Sequence, residues 1–457
     1  MRVGILTSGG DCQALNATMR GLVKALYQQR KDIEIIGFLK GYQGLMYEKY
    51  KKMSLSDFED ILNVGGTILG SSRCPFKKMR VIEDGFDKVE AMKKTYKKLK
   101  LDCLVVLGGN GSLKSANMLA QEGLNVIGLP KTIDNDTWGT DYTFGFQSAV
   151  DIATNYLNEI ETTAKSHSRV FVVEIMGHKV GHICLQAGIA AGVDAILLPE
   201  IPYDIKVVAK KIKENQKTGK EYTIIACAEG AISEEDSLLS KKKYKAKVAS
   251  RQGRSVAYEI AEQLQELIPN EIRVALAGHI QRGGNPCSYD RFMATRFGVY
   301  GANLLLNKDF GKLVVFDKNE IKAIPLSETA GKLKFVDEGN GTYRIATKDD
   351  ETTTDTLVSP EGGVITVKGL SEGDYVIEET KAPDGYAKLK NTINKTISVD
   401  GNAPQTVNVE EKVTNKTESW LPETGGMGTV IFTVVGVVGV LAILSTYFKK
   451  GKKREEA

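Results

Sequence analysis

Seven residues at 130–136, Pro-Lys-Thr-Ile-Asp-Asn-Asp, follow directly on the apolar run Leu-Asn-Val-Ile-Gly-Leu and bring a lysine, a hydroxyl and two carboxylates together. Asp134 and Asp136 can take different jobs. A carboxylate within reach of a hydroxyl can accept its proton as the oxygen attacks phosphorus, while another holds a Mg2+ ion that offsets phosphate charge. Two glycine clusters supply backbone that can approach phosphate oxygens. One is Gly9 and Gly10 in residues 7–16; the other is Gly108, Gly109 and Gly111 in residues 107–113, where Ser112 adds a hydroxyl. Either cluster alone reads equally well as a tight turn. Two of them, with 130–136 only 17 residues beyond the second, point to a phosphate site. Arg73, Arg169, Arg273 and Arg282 flank the ends of apolar runs, and planar guanidinium groups suit phosphate oxygens.

These residues need elements to position them. Before residue 338, short apolar runs (Val-Gly-Ile-Leu, Cys-Leu-Val-Val-Leu-Gly-Gly, Val-Phe-Val-Val-Glu-Ile, Thr-Ile-Ile-Ala-Cys-Ala) alternate with stretches of helical period such as 16–29 and 255–267. That rhythm predicts an α/β fold with parallel strands, whose ligands collect at the C-terminal strand ends. After residue 338 the pattern changes to apolar/polar alternation punctuated by Gly, Pro, Asp and Thr, which predicts a small antiparallel β-sandwich. From Met427 to Phe448 there are 22 residues without a charge, followed by five Lys and Arg within 449–454, as in a membrane-spanning helix with a cytoplasmic stop.

Composition narrows the function further. A chain of 457 residues, 42% apolar and 26% charged, implies two to four domains. The net charge of +4 and the lack of a basic block interleaved with aromatics argue against a nucleic-acid partner. All six cysteines precede residue 290 without metal-ligand spacing, which points to a reducing compartment and no zinc. The N-terminus reads as a first strand and not as an export signal, so a cytoplasmic location is expected for the first part.

Residues 1 to about 336 resemble the bacterial 6-phosphofructokinases, through GGDCQALNATMRG, GGTILGSSR, GGNGS, PKTIDND, MGHKVG, AEG and GHIQRGGNPCSYDR in that order. The resemblance implies two Rossmann-like lobes with the active site between them, in a homotetramer or homodimer. It implies that Gly10, Arg73, Cys74 and the loop Gly109, Asn110, Gly111, Ser112 hold ATP, and that Asp134 is the base acting on the 1-hydroxyl of fructose 6-phosphate. Thr132, Met176, Gly177, His178, Glu229, His279 and Arg282 would line the sugar phosphate site, with Arg169 and Arg273 reaching in from a neighbouring subunit. Asp136 and Asn110 are the candidates for Mg2+, and Arg20 falls where relatives bind an allosteric effector. Three positions depart from the common pattern. Asn110 replaces an aspartate and offers Mg2+ an amide oxygen without charge. His178 replaces an arginine. Lys131 stands where ATP-dependent members have glycine and pyrophosphate-dependent ones have lysine, whereas Gly111 lacks the acidic side chain by which the latter obstruct a nucleotide. Together they favour ATP as donor, with pyrophosphate as the alternative.

The C-terminal part resembles Gram-positive adhesins and pilins. Residues 373–386, GDYVIEETKAPDGY, look like the signature of Cna-B-type repeats, and LPETGG at 421–426 with the apolar span and basic tail looks like a sortase sorting signal. In such repeats a lysine can bond to an asparagine with a glutamate assisting. Glu379 fits the assistant, but Glu411 falls where the asparagine belongs and Lys332 and Lys334 are ambiguous, so no isopeptide bond is expected. The expected division is 1–337, 338–415 and 416–457, with 427–448 inserted in a membrane and sortase processing not expected without export. Two functional classes follow: a glycolytic kinase with a fused C-terminus, which is favoured, and a wall-anchored structural protein carrying a kinase-derived first part.

Overall fold

The computed structural model of the chain describes residues 1–330 and 335–345, shorter stretches between 350 and 397, and residue 413. It divides into two compact units, Met1–Lys332 and a second that begins at Leu333.

The first unit contains two sheets. A seven-stranded sheet has the order β11-β10-β5-β4-β1-β2-β3. Its strands are β1 (Arg2–Ser8), β2 (Glu34–Phe38), β3 (Tyr50–Met53), β4 (Cys103–Gly108), β5 (Val126–Pro130), β10 (Lys312–Asp317) and β11 (Glu320–Pro325). The central strands run parallel, and only the outermost pairs, β2 with β3 and β10 with β11, are antiparallel. A second sheet of order β7-β8-β6-β9 is parallel throughout, built from β6 (Val170–Ile175), β7 (Ala195–Leu197), β8 (Thr223–Ala228) and β9 (Ile272–Leu276). Helices cover both faces, so β4, β5 and β8 are buried at every residue and read as unbroken apolar runs instead of alternating ones. Parallel strands alternating with helices are what the sequence rhythm predicts, and two such lobes are what the family resemblance implies.

The first and last long helices of the unit, Leu15–Gln29 and Ser288–Leu306, cross closely because glycines face each other. A methyl group on Gly298 would lie 2.3 Å from the Thr18 carbonyl oxygen, and one on Gly21 would lie 2.7 Å from that of Thr295. Those oxygens belong to helix backbone and cannot turn aside. The contact joins residues nearly 300 positions apart, and the same late helix carries Asp290, which matters at the site below.

The second unit begins with β12 (Phe335–Gly339), paired antiparallel with β13 (Thr342–Ile345). β12 straddles the boundary drawn at 337/338 from the sequence, so the division falls slightly earlier. The antiparallel expectation holds for that hairpin and for β15 (Gly373–Ile377) with β16 (Ile393–Ile397). It does not hold for β14 (Thr366–Lys368), which runs parallel to β13; the long connection between them permits a crossover that a tight turn would forbid. Glu379 accepts a hydrogen bond from the Leu389 amide at 2.7 Å. The apolar span 427–448, the 421–426 motif, Glu411, Lys332 and Lys334 lie outside the described residues. Among the described residues no helix is long and apolar enough to cross a membrane.

Gly298→Ala tests the helix crossing. Alanine gains about 1 kcal/mol of helix propensity over glycine, whereas overpacking against rigid atoms costs about 1–3 kcal/mol. With the nearest backbone atoms at 2.3 and 2.6 Å, the clash should prevail and the urea midpoint of unfolding should fall.

Candidate active site

Six loops converge from the C-terminal ends of six parallel strands. After β1 comes the turn 9–13, after β4 residues 109–112, and after β5 residues 131–136; from the second sheet come 176–182 after β6, 229–231 after β8 and 278–282 after β9. This is the edge where a parallel sheet leaves helix N-termini and free backbone donors facing solvent.

Both glycine clusters form turns at strand ends. Residues 110–121 form a helix capped by Gly109, so the first-turn amides of Asn110, Gly111 and Ser112 point outward. Gly108 is obligatory, because a methyl there would sit 2.3 Å from Ser112 Cβ, while a methyl on Gly111 would meet nothing within 4 Å. The 71–74 loop lies alongside the first turn: Ser71 Oγ donates to the Gly9 carbonyl at 2.6 Å and the Gly9 amide donates to the Ser72 carbonyl at 3.1 Å. That puts exposed Arg73 and half-buried Cys74 beside Gly9 and Gly10.

Two cations meet this turn from opposite directions. Lys131 is buried and its Nζ donates to the Gly10 carbonyl. Burial pulls its amine below the ordinary lysine value, with the guanidinium of Arg282 adding to the effect. Arg282 donates to the Asp11 carbonyl at 3.0 Å, and its Nη1 would be 2.8 Å from a methyl on Gly10. The arginine that the resemblance assigns to the sugar phosphate thus lies against the Gly9–Gly10 turn.

Asp134 sits between them. Its Oδ1 is buried without a hydrogen-bond partner. Burial raises its carboxyl above the usual aspartate range, opposed first by Arg282, and then supported by Asp136 and Glu229. The loop is shaped internally. Thr132 Oγ1 accepts from the Asp134 amide at 3.1 Å, so this hydroxyl, read as a substrate contact, is engaged in forming the turn. Asn110 also has a different role from the one its position suggests. Its amide nitrogen donates to the Asp136 carbonyl and to Asp136 Oδ2, both at 3.0 Å. A carboxylate only accepts, so the amide must turn its NH2 toward Asp136. Asn110 thereby holds the Asp136 carboxylate in place. Among the described residues no group of three or more His, Cys, Asp or Glu could hold a metal. One oriented carboxylate is nevertheless a fitting donor for Mg2+, which keeps several waters and takes its remaining ligands from substrate phosphates.

On the second sheet, the His178 amide donates to Glu229 Oε2 at 3.1 Å and the Met176 amide donates to Gln281 Oε1 at 3.2 Å. Gly177 is needed for packing, since a methyl there would lie 2.4 Å from the Val180 carbonyl. His279 is exposed in the 278–282 turn. Arg169 and Arg273 lie at the other ends of their strands from these loops. They stand at the starts of β6 and β9 and share Glu271, Arg169 Nε donating to it at 2.8 Å. At about 3.3 Å per residue, the length of those strands puts them roughly 16–23 Å from the loops of their own chain. Arg20 donates to the Glu59 carbonyl at 3.1 Å, on the helix Leu15–Gln29.

A family model described as "Phosphofructokinase" matches residues 2–305. The chain belongs to the phosphofructokinase family. A second model, "Prealbumin-like fold domain", matches residues 301–413. The ATP-dependent 6-phosphofructokinase of Spirochaeta thermophila is 52% identical over 337 residues, 73% of this chain and 92% of that protein. A pyrophosphate–fructose 6-phosphate 1-phosphotransferase of Amycolatopsis methanolica is 40% identical over 338 residues, 74% of this chain and 96% of that protein. Among solved structures, the phosphofructokinase of Saccharomyces cerevisiae superimposes with a TM-score of 0.62 at 30% identity, over 72% of this chain and 45% of that one.

One residue within a family motif escaped the sequence reading. Asp290, in SYDR, is fully buried, and its carboxylate accepts hydrogen bonds from the Tyr142 hydroxyl, the Gly145 amide at 2.8 Å, the Ser148 amide at 2.7 Å and the Ser148 hydroxyl at 2.5 Å. It caps the start of the helix Phe146–Ser166 and fixes the chain leaving the 131–136 loop. Its place in the first turn of a helix, next to Arg291, gave no sign of this burial. Asp290→Asn puts an NH2 against donors; each hydrogen bond left unmade in a buried site costs about 1–3 kcal/mol. The variant should unfold at lower denaturant and show lower kcat, as read by urea titration and a coupled kinase assay.

Proposed function

We propose that the first unit transfers the γ-phosphoryl group of ATP to the 1-hydroxyl of fructose 6-phosphate, giving fructose 1,6-bisphosphate and ADP. The observation that carries this reading is Asp134 Oδ1, a buried acceptor with no partner, set between the glycine turns and the loops of the second sheet. A hydroxyl placed there gives its proton to Asp134 as its oxygen attacks the γ-phosphorus, and the bond to ADP breaks. The outward amides of residues 110–112 and the Gly9–Gly10 turn cradle the donor's phosphates, Arg73 and Cys74 bound the nucleotide side, and Arg282 stands where negative charge collects. Asp136, oriented by Asn110, would hold Mg2+, whose charge offsets that of the phosphates. Glu229, His178, Met176, Gly177 and His279 would hold the sugar phosphate. A homotetramer or homodimer would let Arg169 and Arg273 serve a neighbour's site.

ATP is favoured as donor because the space beside Gly111 is open. Lys131 adds a cation already bonded to the Gly10 carbonyl and excludes no nucleotide. For the C-terminal part, the prealbumin-like match and the GDYVIEETKAPDGY motif support a pilin-type repeat. The sorting signal, the membrane span and the cytoplasmic location of the first part rest on sequence pattern alone.

Asp134→Asn should retain fructose 6-phosphate binding and lose turnover by about 10²–10⁴-fold, the scale of general-base catalysis. The wild-type kcat should fall on acidification with an apparent pKa above the ~3.9 of a free aspartate. Near wild-type turnover in the variant would remove the assignment. Gly111→Asp should lower kcat/KM for ATP more than tenfold, about 1.4 kcal/mol at the transition state. A higher kcat/KM with pyrophosphate than with ATP in the unsubstituted protein would reverse the donor.

A further inference from the structure

Asn135, between the two aspartates, has left-handed backbone (φ 53°) and uses both ends of its side chain. Its Oδ1 accepts from the Thr143 amide at 2.8 Å and the Thr143 hydroxyl at 3.1 Å, and its Nδ2 donates to the Asp141 carbonyl at 3.1 Å. These bonds tie the loop to its own lobe. Its carbonyl makes a different connection: His182 Nδ1, on the second sheet's side, lies 3.0 Å away. A carbonyl only accepts, so Nδ1 carries the proton. His182 opens the helix His182–Ala191 and ends the same loop that carries Met176, Gly177 and His178.

That loop is braced by its own backbone and by the segment after β7. The Val180 amide donates to the Gly177 carbonyl at 3.0 Å, and the Gly181 amide to Glu200 Oε1 at 2.9 Å. A methyl on Gly181 would be 2.6 Å from Leu198 Cδ2, so there is no slack at its far end. His182 is thus the point where this braced loop meets the peptide that joins Asn135 to Asp136, next to Asp134.

We propose that His182 is a positioning residue that couples occupation of the 176–182 loop by a sugar phosphate to the placement of Asp134. The inference rests on the phosphofructokinase reading and assigns His182 no contact with substrate. Asparagine can place its Nδ2 near the position of the imidazole Nδ1 and keep the donor; leucine cannot.

The test uses the full chain, with His182→Leu, His182→Asn and Asp134→Asn. Steady-state kinetics with ATP and fructose 6-phosphate are combined with backbone hydrogen exchange across 132–145, with and without fructose 6-phosphate. In the unsubstituted protein fructose 6-phosphate should slow exchange across 132–145. His182→Leu should lose that response and lower kcat by about 10–10²-fold, the effect of a small misplacement of a reacting group, with KM for the sugar phosphate changing little. His182→Asn should recover most of both. His182→Leu with wild-type kcat, or with the exchange response intact, overturns the inference alone. A loss that His182→Asn does not recover also overturns it, since the role is then packing. Asp134→Asn with undiminished turnover removes the base assignment and this inference with it.

Discussion

The buried carboxylate of Asp290 is the constraint on which the site's geometry depends. It draws the Tyr142 hydroxyl, two backbone amides and a serine hydroxyl to one point, and so fixes the end of the chain segment that begins at Lys131. Its neighbours respond to its charge. Burial and the adjacent carboxylate push the Tyr142 hydroxyl far above its ordinary value, so it remains a proton donor across the working range. Burying such an anion is tolerable only because its acceptor capacity is satisfied. The anion comes from the helix Ser288–Leu306, which reaches the N-terminal helix through glycine-to-carbonyl contact. The first and last parts of the unit thus jointly set the 131–136 loop.

Burial then acts in opposite directions on the site's own groups. It favours the neutral form of both the Lys131 amine and the Asp134 carboxyl, lowering one affinity for protons and raising the other. For Asp134 the native state binds its proton more tightly than the unfolded chain does, so this group's contribution to stability falls as pH rises through the two pKa values. Ionising Asp134 in the folded protein therefore costs stability, as expected where a structure serves chemistry. Cys12, buried under the same turn, has its thiol pushed up to about 12 and stays an inert packing group despite its nearness to Lys131.

Close backbone approach completes the arrangement. Gly10 leaves room for Arg282, Gly108 for Ser112, and Gly177 for Val180; in each case a side chain would occupy space already taken. Gly111 differs from these. Its open surroundings mean that no packing requires glycine there, so an occupied position would change what enters the site without changing the fold around it.

Much of this was legible in the sequence. Unbroken apolar runs alternating with helical stretches are the pattern of a parallel sheet covered on both faces, and in such a sheet the glycine clusters and Asp134 at the ends of those runs face the edge where ligands collect. The order of motifs carried the family, because each motif's chemistry is local. Only the tertiary structure decided which groups share space. Arg169 and Arg273 look like Arg282 in one dimension, but they open their strands where Arg282 follows its own, and a strand's direction is a property of the sheet. The hydrogen bond from the Asn110 amide to Asp136 spans 26 residues and is likewise set by the fold. Asp290 and His182 carried no signal because their partners, the segment 142–148 and the Asn135 carbonyl, lie about 145 and 47 residues away. A hydrogen bond is specified by geometry between two groups, and sequence spacing fixes that geometry only within a single turn of a helix or loop.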